Sequence, residues 1–179
     1  AKELAHYPVL LDTFLQQRYR HLPDKPELRD ILRQQLLRVE PNDEEELLSV
    51  LRLFKKNQVL AVAASDVLAE RPIMKVSDSL TYIAAVVLEA ALERAFAEIV
   101  KRYGYPIGQD GDPVTEADCG FAIIGYGKLG GLELSYSSDL DLVFLHKIKE
   151  QGMTTGEKSV SGMKFAVRLV QKLMNYLKT

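Results

Sequence analysis

Apolar residues recur at helical spacing along the first hundred positions, in blocks separated by proline. Val9, Leu10, Leu11, Phe14 and Leu15 follow Pro8 and predict a first helix. The stretch HLPDKP at 21–26 reads as a breaker. Leu28, Ile31, Leu32 and Leu36 then predict a second helix from Glu27 to about Arg38. Pro41-Asn42 breaks the pattern again. Asn42 reads as an N-cap, with Asp43 to Glu46 in a first turn where the helix dipole favours negative charge. Leu47, Val50, Leu51, Phe54 and the run from Val59 to Val67 carry a long helix to about Ala69, and Pro72 stops it. The strongest pattern comes next. Leu80, Ile83, Ala84, Val87, Leu88, Ala91, Leu92, Ala95, Phe96, Ile99 and Val100 keep one face apolar. Ser77 or Asp78 is the expected cap of this helix and Gly104 its expected end.

The pattern changes after residue 104. GYPIGQDGDPVTEAD is rich in Gly, Pro and Asp and reads as a linker. Short apolar runs then predict strands at about 119–125 and 140–146, followed by a polar loop over 147–160. A final amphipathic helix starts near Ser161. Phe165, Leu169, Val170, Leu173, Met174 and Leu177 are expected inside, with Lys164, Arg168 and Lys172 toward solvent or a ligand. The expected fold class is α+β and predominantly helical. An N-terminal helical bundle (1–104) is joined by a linker (105–118) to the beginning of a sheet with a packed C-terminal helix (119–179).

Composition narrows the classes. The chain has 179 residues, is 47% hydrophobic and carries a net charge of −2. It can bury a sizeable core, and its balance gives no bulk attraction to nucleic acid or anionic membrane. Cys119 is the single cysteine, which excludes an intramolecular disulfide framework and fits a reducing, cytoplasmic setting. No apolar run reaches the ~18 residues of a membrane span. The polar N-terminus carries no signal-peptide pattern. The chain opens on Ala1 rather than Met, and it reads as a piece of something longer.

The candidate chemistry lies in GYGKLGGLELSYSSDLDLVF, residues 125–144. Phe121-Ala-Ile-Ile124 runs into a turn with Gly125, Gly127, Gly130 and Gly131. Asp139 and Asp141 follow, one residue apart, at the mouth of the second apolar run. Side chains at i and i+2 of a strand share a face. Adjacent carboxylates repel unless a cation lies between them. Hard oxygen donors suit Mg²⁺, and two such ions suit phosphoryl or nucleotidyl transfer.

Gly125-Tyr-Gly-Lys-Leu-Gly130 also matches the dinucleotide-binding fingerprint. A parallel crossover, however, needs a dozen or more residues, and only eight separate the turn from the second strand. The P-loop pattern fails as well, because Leu129 and not Ser or Thr follows Lys128. Lys128 is readable as a phosphate contact or as a solvated turn lysine. His6, His21 and His146 are not at metal-ligand spacing, and Cys119 reads as a buried strand residue.

Leu129-Gly-Gly followed by Ser138-Asp-Leu-Asp-Leu resembles the nucleotidyltransferase superfamily of DNA polymerase β and the aminoglycoside nucleotidyltransferases. The longer run GYGKLGGLELSYSSDLDLVFLH resembles the glutamate–ammonia-ligase adenylyltransferase family. LRLFKKNQVLAVAASDVL (51–68) and PIMKVSDSLTYIAAVVLEAAL (72–92) resemble the helical part of its adenylylating half. The resemblance implies a partial nucleotidyltransferase domain. Gly130 and Gly131, with Ser138 and Lys128, would approach the phosphates of ATP, and Asp139 and Asp141 would be catalytic and hold two Mg²⁺ ions. It implies AMP transfer from ATP to a tyrosine of glutamine synthetase, with a PII-type signalling protein and glutamine as regulators, and no nucleic-acid or membrane partner. Two alternatives stay open: phosphorolytic removal of AMP by the sister domain, and a non-catalytic helical interaction module. The family completes its metal site with a third carboxylate on a later strand. None of Glu133, Glu150 or Glu157 is placed to replace it, so the resemblance implies a site completed beyond Thr179 and a fragment with little activity of its own.

Overall fold

The computed structural model describes residues 18–40, 42–69, 71–115 and 118–178. The first predicted helix, Pro8 to Leu15, lies outside the described residues, as do His6 and Pro41. The expected class is found: the chain is α+β and mostly helical, with one small sheet.

Helix α1 spans Lys25–Leu36 and begins two residues earlier than the apolar spacing predicts. Asp24 accepts the Glu27 N–H at 2.9 Å, and the Glu27 carboxylate accepts the Asp24 N–H at 2.9 Å. This capping box starts the helix inside the supposed breaker, and Pro26 is tolerated because a first-turn residue needs no N–H partner. Leu28, Leu32 and Leu36 are buried. Helix α2 spans Glu44–Ala69. Its N-cap is Asp43 rather than Asn42: the Asp43 carboxylate accepts the Glu46 N–H at 2.8 Å. Leu47, Leu51, Phe54, Ala61 and Val62 form its buried face.

Helix α3 spans Ile73–Tyr103, so Ser77 and Asp78 lie within it and do not cap it. Pro72 both stops α2 and launches α3. Its carbonyl accepts the N–H groups of Lys75 at 2.8 Å and Val76 at 3.3 Å. The expected end is found, with Gly104 in the left-handed region at φ 77°.

The described contacts divide into two compact units. The first holds the chain up to Val87 together with Gly127–Leu140, and the second holds Leu88–Tyr126 with Asp141–Thr179. In the first, α1 and the 3-10 turn Arg18–Arg20 both pack on α2. Arg71 ties the end of α2 to that turn, donating to Ser65 Oγ at 2.7 Å and to the Arg20 carbonyl at 2.9 Å.

In the second unit, strand β1 (Phe121–Tyr126) pairs antiparallel with β2 (Asp141–His146), in a register running from Phe121 opposite His146 to Tyr126 opposite Asp141. Antiparallel pairing fits the rejection of a crossover unit. Cys119 precedes β1 and is half-buried, not a buried strand residue. Helix α4 (Gly162–Leu177) begins at the Ser161 cap, whose side chain accepts from the Lys164 N–H. Phe165, Leu169 and Leu173 are completely buried, and Phe165 meets Phe96 edge to face at 5.8 Å. Glu98 bonds both Tyr176 Oη and Lys172 Nζ at 2.8 Å. Gly104 crosses Gly156 so closely that a Cβ on Gly104 would lie 2.0 Å from the Gly156 nitrogen.

Candidate functional site

The glycine-rich segment is not an open turn. Gly125 is a residue of β1, and Gly127–Gly130 forms a single helical turn with Leu129 buried beneath it. The Glu133 N–H returns to the Lys128 carbonyl at 2.7 Å and the Leu132 N–H to the Leu129 carbonyl at 3.3 Å. These two bonds close a Schellman-type end. The left-handed position of that end is taken by Leu132, at φ 58°, and not by a glycine. A Cβ on Gly131 would meet only ordinary contacts, the nearest being the Gly127 carbonyl oxygen at 3.5 Å. Packing therefore does not demand glycine at 131. Its backbone is exposed, as are those of Gly130 and the Lys128 side chain.

Leu134 is buried and anchors the next segment. A small turn follows, in which the Ser138 N–H reaches the Ser135 carbonyl at 3.2 Å and Ser138 Oγ accepts the Ser135 N–H at 2.9 Å. The two hydroxyls lie 2.8 Å apart. Tyr136 donates its hydroxyl to Asp66 of α2 at 3.0 Å. Burial of the ring, and then the neighbouring carboxylate, push the Tyr136 phenol up to about 12.

Asp139 lies just outside β2, two residues before the strand's first residue, Asp141. Both side chains are exposed, and neither carboxylate has a hydrogen bond or ion pair among the described residues. Gly130, Gly131, Lys128, Ser138 and Asp139 belong to the first unit. Asp141 belongs to the second, joined to them through Leu140. Within the second unit Asp141 faces Tyr126 across the strand pair. Directly opposed side chains share a face, and this one also carries Ala122, Ile124, Val143 and Leu145, all exposed. His146 stacks on Phe121 at 5.5 Å at the other end of the ribbon.

A cavity of about 550 Å³ lies elsewhere in the second unit, lined by residues of α3 with Asp118, Cys119 and Phe121. None of the predicted site residues lines it. Asp118 is ion-paired with Lys147, whose hydrogen bond, with the Gly120 N–H, holds the carboxyl below its ordinary range. The same pair raises the Lys147 ammonium.

As oxygen donors, Asp139 and Asp141 fit Mg²⁺ in kind. Among the described residues, no three His, Cys, Asp or Glu side chains gather to hold a metal. The sequence left unmarked the Tyr136–Asp66 contact, which joins positions 70 apart and has no local signature.

Exposed glycine backbone is thus followed, within the same stretch of sequence, by two carboxylates unpaired among the described residues. Residues 1–179 match the family described as glutamate-ammonia ligase adenylyltransferase, and the chain belongs to that family. It is 54% identical over 178 residues to the bifunctional glutamine synthetase adenylyltransferase/adenylyl-removing enzyme of Acinetobacter baylyi (strain ATCC 33305 / BD413 / ADP1). The match covers 99% of this chain and 19% of that protein, so the chain spans about a fifth of the relative's length. No helix among the described residues is long and apolar enough to cross a membrane.

Proposed function

We propose that these residues form part of an adenylyl-transferring centre acting on glutamine synthetase. The observation that carries this reading is the exposed, unpaired state of Asp139 and Asp141 next to the Gly130-Gly131 backbone in the sequence. Carboxylates held without a protein partner at the entrance to an apolar strand are suited to a bound cation. Family membership and the activity for which the relative is named support the substrate.

In this reading Asp139 and Asp141 each offer carboxylate oxygens to Mg²⁺, which would neutralise charge on the phosphates of ATP and favour loss of the phenolic proton of the acceptor. The exposed backbone of Gly130 and Gly131, the Ser138 hydroxyl and Lys128 would orient the phosphates. The acceptor tyrosine oxygen forms a bond to the α-phosphorus, the bond to pyrophosphate breaks, and the phenolic proton leaves to a base. An unperturbed phenol titrates near ~10, so loss of that proton at neutral pH needs help. Catalysis here is positioning and charge stabilisation. A third carboxylate, which the family resemblance places on a later strand, would complete the donor set and is the candidate base. A PII-type signalling protein and glutamine would act on the whole enzyme, and the setting is cytoplasmic.

The experiment is AMP incorporation into glutamine synthetase from α-labelled ATP by the full-length enzyme. Asp139→Asn and Asp141→Asn should each lower the rate by on the order of 10²-fold or more. Near-normal transfer by either variant would overturn the assignment. If both variants keep adenylylation but lose phosphorolytic release of AMP from modified glutamine synthetase, the centre belongs to the sister activity.

A further inference from the structure

The segment entering the candidate carboxylates is exposed and short of local support. Among the described residues Ser135 and Ser138 bond to each other, by the 2.9 Å N–H bond, the 2.8 Å hydroxyl contact and the 3.2 Å bond from the Ser138 N–H to the Ser135 carbonyl. Tyr136 lies between them on the same turn and is 49% exposed, so hydrophobic burial alone does not fix its place. Its hydroxyl reaches Asp66 Oδ2 at 3.0 Å, across 70 positions of sequence. The receiving end is tied into α2. Asp66 follows Ser65, which is completely buried and accepts the Arg71 guanidinium at 2.7 Å. Arg71 in turn holds the Arg20 carbonyl at 2.9 Å. A hydrogen bond to a carboxylate is among the stronger ones available to a neutral donor. Leu134 before the turn and Tyr136 within it thus hold the turn from which Asp139 departs.

We infer that Tyr136 and Asp66 are positioning residues for the adenylyl-transferring centre, fixing the Ser135–Ser138 turn so that Asp139 is presented to the metal–nucleotide complex. The inference rests on the reading of Asp139 given above. Neither residue touches substrate. Their loss therefore leaves nucleotide affinity largely intact and lowers the fraction of enzyme aligned for transfer. Small misplacements of a reacting group carry large rate penalties.

The test uses the full-length enzyme with glutamine synthetase and MgATP, and four variants: Tyr136→Phe, Asp66→Ala, the two combined, and Asp66→Asn. Tyr136→Phe and Asp66→Ala should each lower kcat about tenfold, with KM for ATP within about twofold of the starting value. The double variant should be no worse than either single one, because each removes the same bond. Asp66→Asn keeps a carbonyl acceptor and should recover kcat to within about threefold. The melting temperature should stay within about 2 °C for Tyr136→Phe. Unchanged kcat in Tyr136→Phe, losses that multiply in the double variant, no recovery in Asp66→Asn, or a rate loss that follows a falling melting temperature would each overturn the tether. Asp139→Asn in the same assay separates the two failures. If Asp139→Asn keeps its activity, the metal-site reading is wrong. If it loses activity while Tyr136→Phe does not, only the tether is wrong.

Discussion

Helix α4 and the β1–β2 ribbon belong to the same compact unit and are both rich in apolar side chains, yet they use them differently. In α4, Phe165, Leu169 and Leu173 have no exposed surface, although Met174, expected to face inward, is exposed. In the ribbon no residue of either strand is fully buried. Phe121, Ile123, Leu142 and Phe144 are half-covered on one face, while Ile124, Val143 and Leu145 are exposed on the other. The helix supplies part of the unit's core, together with Ala91, Ala95 and Phe96 of α3. The ribbon presents its open face, with Tyr126 and Asp141 at one end.

That contrast orders the expected effects of substitution. The largest stability loss should come from Phe165→Ala, about 3–5 kcal/mol by chemical denaturation, because the removed ring leaves a cavity against Phe96. A loss under about 1 kcal/mol would mean that α4 is not part of this unit's core. Gly104→Ala should follow at about 2–4 kcal/mol, combining a left-handed backbone with a Cβ driven into Gly156. Paired replacement of the ribbon's exposed side chains, Val143→Thr with Leu145→Ser, should cost under about 1 kcal/mol. A cost equal to that of Phe165→Ala would erase the distinction between the two elements.

The smallest effect concerns the far end of the ribbon, where Lys147 pairs with Asp118 on the surface. Asp118 is held below its ordinary value, so its contribution to stability is present above that value and is lost as pH falls through the lowered one. Lys147→Met should therefore narrow the stability difference between pH 5 and pH 2, slightly and only at low salt. Denaturation midpoints across that range would show it, and an unchanged difference at low salt would exclude the pair from the acid response.

Much of the architecture is legible in the residues, because helices carry their signals locally. The end of α2 at Ala69, the end of α3 before Gly104 and the Ser161 start of α4 all follow from spacing and capping chemistry. The failures are local competitions between adjacent signals. Asp43 displaced Asn42 because its carboxylate reaches the Glu46 N–H, and Pro72 began a helix one turn ahead of Ser77 and Asp78. The glycine run suggested an open turn, but the buried Leu129 and the Glu133–Lys128 backbone bond wind it into helix. The closeness of Asp139 and Asp141 along the chain was legible. Their different settings were not, since strand pairing begins at Asp141 and leaves Asp139 on the preceding segment. Contacts such as Tyr136–Asp66 depend on tertiary folding and leave no periodic trace.

The proposed centre would hold a metal–nucleotide complex at Asp139 and Asp141. Affinity cleavage tests it most directly. Fe²⁺ would replace Mg²⁺ in the presence of ATP in the full-length enzyme, ascorbate and peroxide would generate radicals at the metal, and mass spectrometry would map the cut positions. Cuts should fall among residues 126–142, none should appear within α4, and cutting there should vanish in the Asp139→Asn/Asp141→Asn double variant. Cleavage confined to other segments, or cleavage at 126–142 that survives the double variant, would contradict the account.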